Sequence, residues 1–316
     1  MAENLELSLL CTETINVGDD DMIFGREVSN FQMGFPLESE EIIREMMEKE
    51  KQHLPSDDYI RRLRSGDMDF NARRRKALNW IFKAYAERER ERCCLKSACE
   101  VHQFGPLCMC LSVNYFDRFL SVHDLPYDKA WTMQLLAVAC LSLAAKLEET
   151  SVPRLLIDLQ VGHPEFLFVA KSIQRMELLV VNRLEGRLRA ITPCSYISYF
   201  LRKMSKSDQE PSNTFISISL QVIASKAKGE KGIDFLEFRP SEVAAAVALY
   251  VSGELHTVQF DNSSFSPLFS PLQKERVKKI GGMIESGGSG LCSQTPSGVF
   301  EVSASCFSIK THASSY

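Results

Sequence analysis

The stretch from Ala130 to Glu149, AWTMQLLAVACLSLAAKLEE, constrains this chain more than any other. Nearly every side chain from Leu135 to Ala145 is apolar on all sides of a helical wheel. A helix without a solvent face is either the centre of a globular core or a membrane span. Thr132, Gln134 and Ser142 interrupt the run, and Lys146, Glu148 and Glu149 end it abruptly. It is also shorter than the roughly 20 residues that a bilayer requires. The stretch therefore reads as a core helix with a charged end, and no membrane association is expected. The 316 residues, 45% hydrophobic and 25% charged, are enough for one large or two modest domains.

Other helical patterns surround this one. From Glu38 to Gln52, Ile42, Ile43, Met46 and Met47 recur among glutamates, with Ser39 as N-cap and Pro55 beyond the end. This leading helix is expected to pack on the first module. Ala72 to Ala86 is predicted helical around Leu78, Ile81, Phe82 and Tyr85. Leu107 to Leu120 and Trp131 to Lys146 are predicted core helices, followed by Leu155 to Val161 and Phe166 to Arg187. Thr192-Pro193 has helix-start chemistry and opens a second set: Cys194 to Met204, Thr214 to Lys226, Ser241 to Leu255 and Pro271 to Ile284. With no alternating strand run, the expected fold is all-α, in two consecutive helical modules over residues 38–190 and 191–285. Residues 1–37, acidic and carrying Asp19-Asp20-Asp21, read as a flexible arm, and the Gly/Ser/Thr-rich residues 286–316 as a disordered tail. Ser266-Pro267, Ser270-Pro271 and Thr295-Pro296 are minimal sites for a proline-directed kinase and are expected in the tail.

Leu141-Ser-Leu-Ala-Ala-Lys-Leu-Glu-Glu149, preceded by Leu111-Ser-Val-Asn-Tyr-Phe-Asp-Arg-Phe-Leu-Ser121 and followed by Val152-Pro153 and Arg175-Met-Glu-Leu-Leu179, resembles the cyclin box. The order and wording of these motifs are most similar to plant D-type cyclins, over roughly residues 70 to 285. The resemblance implies two cyclin boxes in a non-catalytic, activating subunit of a cyclin-dependent kinase. It also implies a role at the G1/S transition, with phosphorylation directed at a retinoblastoma-related protein. Kinase inhibitor proteins are further implied partners, and the nucleus is the implied compartment, with cytoplasm second. An adaptor that binds a pocket protein without activating a kinase is the alternative.

The resemblance also implies roles for particular residues. Lys146 and Glu177, with Glu149 beside them, occupy the positions through which cyclins bond the backbone near the kinase C helix. Read without it, Lys146 is a surface lysine at a helix end and Glu177 an ordinary helix glutamate. Arg74 and Asp117 resemble the box's internal ion pair, a structural role suited to the guanidinium fork. Only one of Arg73, Arg74 and Arg75 can point inward. Leu9, Cys11 and Glu13 form the L-x-C-x-E pattern of pocket-protein ligands. There an extended peptide fills small apolar pockets and offers one carboxylate to a positive site.

Three departures from the family stand out. Trp80 and Phe104-Gly-Pro106 lie 24 positions apart, about fourteen more than usual. The alternating Glu/Arg segment Ala84 to Ser97 is expected to loop or bulge into solvent, although pairs such as Glu87 with Arg90 make a solvated helix locally feasible. Gly186 stands where the family usually has tryptophan, so a loss of buried area at the end of the first box is expected. Around Arg73 to Trp80, charges replace some hydrophobics of the substrate-docking patch.

Other chemistries find little support. A net charge of −4 argues against a surface built for phosphates, so no nucleic acid is expected. The N-terminus has no basic run and too short an apolar stretch for a signal peptide, and the ten cysteines lack a secreted framework's spacing. Cys93, Cys94, Cys99, His102, Cys108 and Cys110 crowd together without the paired spacing of a zinc site, so no metal is expected. There is no phosphate-binding glycine loop and no nucleophile with a matching base, so neither cofactor nor catalysis is expected.

Overall fold

A computed structural model describes residues 39–94, 106–126, 129, 131–148, 166–204, 211–228, 232–253, 263 and 265–286. Eleven α-helices occupy them: α1 (Glu40–Lys49), α2 (Asp57–Arg64), α3 (Met68–Cys94), α4 (Pro106–Val122), α5 (Trp131–Glu148), α6 (Ala170–Arg183), α7 (Ile197–Met204), α8 (Asn213–Lys228), α9 (Gly232–Phe235), α10 (Pro240–Val251) and α11 (Pro271–Ser286). No strand occurs among the described residues. The all-α expectation holds. The arm, residues 287–316 of the tail with Thr295 among them, and the predicted helix Leu155 to Val161 lie outside the described residues.

Two apolar cores organise the helices. The first is built on α5, where Thr132, Met133 and every residue from Leu135 to Ala145 is buried. Leu78, Ile81 and Phe82 of α3 and Tyr115, Phe116 and Phe119 of α4 pack round it. The second is built on α10, which is buried from Pro240 to Leu249 and again at Val251. Tyr196, Phe200, Phe265 and Ile280 surround that helix. Between the two sets Thr192 caps a short turn, Pro193–Ser195, and its N–H donates to Ser195 Oγ at 3.2 Å.

Four expectations need correction. Ser39 does cap α1, accepting from the Ile42 N–H at 3.4 Å, but the helix packs on the second core. Its buried residues Ile43 and Met47, spaced i,i+4, lie with Tyr196 and Val243. Helix α3 does not loop out at Ala84 but runs unbroken to Cys94. Extending a formed helix adds a hydrogen bond for each residue fixed, without a new nucleus, and alanine, glutamate and arginine are all strong helix formers. A bulge would forfeit those bonds.

Nor does Gly186 leave a hole. It is exposed, and a Cβ there would meet nothing within 4 Å. With Glu185 at φ 55° and Gly186 at φ 70°, the chain leaves α6 through two crossed hydrogen bonds. Gly186 N–H donates to Val181 O at 2.9 Å and Glu185 N–H to Asn182 O at 3.1 Å, closing a Schellman cap. Finally, Ser266 and Ser270 belong to the folded second set and not to a tail. Ser266 is buried, and exposed Ser270 caps α11, its Oγ accepting from Gln273 N–H at 3.4 Å.

Candidate kinase-binding face

Helix α5 ends by carrying its chain out of the core. Ala145 is fully buried, while Lys146, in the last turn, reaches solvent. Helix α6 lies against this end with Ile173, Met176, Glu177 and Val180 on its buried stripe, an i, i+3, i+4, i+7 spacing. One member of that stripe is a carboxylate, and Lys146 meets it. Lys146 Nζ donates to Glu177 Oε1 at 2.8 Å and Oε2 at 2.7 Å.

The two partners are unequally covered, the lysine side chain being 41% exposed and the glutamate side chain 8%. Two of the three ammonium donors are spent on one carboxylate, which leaves a donor and the solvent-facing side for a partner. Three apolar residues flank this pair in sequence: Leu167, Val169 and Leu178 are 73%, 65% and 64% exposed. Leu178 enters the sequence expectations only within the motif Arg175–Leu179, and Leu167 and Val169 do not enter them. A signal was present for Leu178, since it lies off the buried stripe of α6. Glu148, half-buried in the last turn of α5, has its carboxyl pushed up by burial, with Arg189 partly offsetting this. Glu149 lies outside the described residues, as do Leu9, Cys11 and Glu13.

Arg74 and Asp117 come together inside the first core. Nε donates to Oδ1 at 2.7 Å and a terminal nitrogen to Oδ2 at 2.8 Å, giving the fork geometry. Tyr59 of α2 joins them, its hydroxyl donating to Asp117 Oδ1 at 2.7 Å. This triad ties α2, α3 and α4 together, with Arg74 and Asp117 almost wholly buried. Burial opposes the guanidinium's charge, yet the Asp117 carboxylate holds Arg74 above its ordinary range. Burial and the same carboxylate push the Tyr59 hydroxyl well up. Arg73 turns outward to Asp69 at 2.7 Å, and Arg75 is exposed.

A third polar cluster has no counterpart in the sequence reading. Glu50 is fully buried, in the short turn Glu50–His53 that follows α1. Its carboxylate accepts from Ser241 N–H at 2.9 Å, Ser241 Oγ at 2.8 Å and the Tyr196 hydroxyl at 3.1 Å. Ser241 is the second residue of α10, so the charge also meets the positive end of that helix. Three residues on, His53 turns to the first set, its carbonyl accepting from Asn114 Nδ2 at 2.8 Å.

Comparison with known proteins agrees with this architecture. Residues 41–189 match the family described as Cyclin, N-terminal domain. The chain is 74% identical to Cyclin-D4-1 of Arabidopsis thaliana over 317 aligned positions, covering 99% of this chain and 97% of that protein. It is 61% identical to Cyclin-D4-2 of the same plant over 296 positions, covering 94% and 90%. To Cyclin-D4-1 of Oryza sativa subsp. japonica it is 46% identical over 246 positions, covering 77% and 61%. The chain belongs to the cyclin family, among the plant D-type cyclins, and is thereby a regulatory partner of a cyclin-dependent kinase in the cell cycle and not itself an enzyme.

Proposed function

We propose that the chain activates its kinase by seating the kinase C helix on the face built by the end of α5 and the start of α6. Lys146 and Glu177 would bond backbone groups of the kinase there, and Leu167, Val169 and Leu178 would supply the apolar contact. The observation that carries this reading is the Lys146–Glu177 pair, held at 2.7 Å with its lysine side still open to solvent. A preformed pair loses little side-chain freedom when a partner arrives.

In this reading the active complex works in the nucleus at the G1/S transition. The arm residues Leu9, Cys11 and Glu13 deliver a retinoblastoma-related substrate. Glu149 contributes to the same kinase face, and kinase inhibitor proteins compete on the assembled complex.

Co-purification with a cyclin-dependent kinase and a histone-kinase assay test the first part. Lys146→Glu places two carboxylates together at the interface, and truncating a buried charge pair costs about 2–5 kcal/mol in binding. The expected outcome is at least a tenfold loss of kinase binding at unchanged helicity. Undiminished activation would remove Lys146 from the interface. Cys11→Arg is expected to abolish pocket-protein binding while kinase binding persists; simultaneous loss of both would show that the arm is part of the folded boxes.

A further inference from the structure

Two thiols meet at the seam between the cores. Cys110 of α4 is half-buried and packs against both cores, and Cys194 is fully buried in the turn that opens the second set. Their sulfurs lie 2.6 Å apart although 84 positions separate them in the chain. Both are free thiols. A cavity of about 130 Å³ on the same seam is lined by Met109, Cys110, Val113, Thr192 and Pro193, among others. A water molecule needs only about 10–15 Å³ by such a measure, so a solute as small as a peroxide has room beside the Cys110 sulfur.

We propose that Cys110 and Cys194 form a reversible disulfide that ties the two modules together, with hydrogen peroxide as oxidant. The Cys110 thiolate attacks one peroxide oxygen; the O–O bond breaks, and the departing hydroxide takes a proton to leave as water. Cys110 is then a sulfenic acid. The Cys194 sulfur attacks the sulfenic sulfur, the S–O bond breaks, and the departing hydroxide takes the Cys194 proton to leave as a second water. Two thiols lose two electrons in all, and one peroxide becomes two waters. A dithiol reductant reverses the bond by exchange.

The neighbouring Cys194 thiol and burial together hold Cys110 well above the ordinary thiol range. Thiolate is therefore scarce, and the pair reacts slowly and in proportion to peroxide dose. The bond would close a loop of 84 positions, which removes much of the unfolded chain's freedom.

The test uses the full-length chain. After peroxide treatment the remaining thiols are alkylated, the protein is digested without reduction, and fragment ions locate each sulfur. The expected result is a peptide pair joined through Cys110 and Cys194, which disappears after dithiothreitol. The oxidised wild type should also melt roughly 10 °C above the reduced form, and Cys110→Ser should show no peroxide-dependent rise. Recovery of both cysteines in alkylated form, or Cys110 joined to another cysteine such as Cys108, overturns the proposal. Because the linkage is read on the wild type, a poorly folded variant does not blunt the test.

Discussion

The two helical sets anchor their buried polar groups differently. In the first, Tyr59, Arg74 and Asp117 all come from helices of one core, within 58 positions of one another. In the second, the carboxylate bonded to the start of α10 comes from Glu50, 191 positions upstream of Ser241. The first module draws its buried ion pair from its own helices. The second is completed by chain that precedes the first.

The largest expected effect lies in the self-contained set. Asp117→Ala strands a buried guanidinium and should cost about 3–5 kcal/mol in denaturant unfolding. A loss under about 1 kcal/mol would mean that Arg74 finds water, and the contrast would fail. Glu50→Ala should cost less, about 2–4 kcal/mol, by leaving the Ser241 N–H and two hydroxyls without their acceptor. Local exchange measurements should place that loss in α10 and α7 and leave α5 protected. Loss of protection in both sets alike would merge the two modules into one cooperative unit.

Acid sharpens the contrast within one turn. Burial pushes the Glu50 carboxyl above its ordinary value, so the folded form takes up its proton more readily than the unfolded chain. Its contribution is greatest below the unfolded value of 4.5 and falls as pH rises through the raised folded value. Burial, with Arg118 and Arg187, pushes His53 down from 6.5 to about 4. That contribution is full above 6.5 and is lost as pH falls to about 4, at a cost of roughly 1–3 kcal/mol. Stability curves between pH 7.5 and 4 should therefore fall more steeply for wild type than for His53→Gln, and parallel curves would clear His53. The smallest effect belongs to the surface link between the sets, where Arg64 bonds Glu237 and reaches Asp234 at 3.2 Å. Arg64→Ala should cost no more than about 1 kcal/mol, and nothing measurable at 1 M salt.

What could be read from the chain alone follows from which interactions are local. The apolar run of α5 declares itself, since a stretch apolar on every side, too short for a bilayer and closed by charges, leaves only a core helix, and Ser39 and Thr192 mark their starts by cap chemistry. Arg74 could be singled out from three consecutive arginines only through the cyclin resemblance. The destination of α1 was not legible, because its stripe shows that it packs but not on what. Glu50 looks like one glutamate among many on a polar helix, and only folding reveals its partners. Lys146 and Glu177 were named together as kinase contacts; that they bond each other depends on how α6 lies across the end of α5. Gly186 misled because a missing side chain looks like lost packing, whereas the backbone there turns through positive φ at the surface.

The path of Glu50 also bears on how this chain is made. At about 5–20 residues per second, the 191 positions from Glu50 to Ser241 take roughly 10 to 40 s to synthesise. For that interval α1 has emerged without the surface that will cover Ile43 and Met47. The first core, whose contacts are nearer in sequence, can close in the meantime. The charged face of α1 and the still-hydrated Glu50 carboxylate suit the waiting segment to water, and the same carboxylate later becomes the latch by which an early-made segment joins the late-made α10.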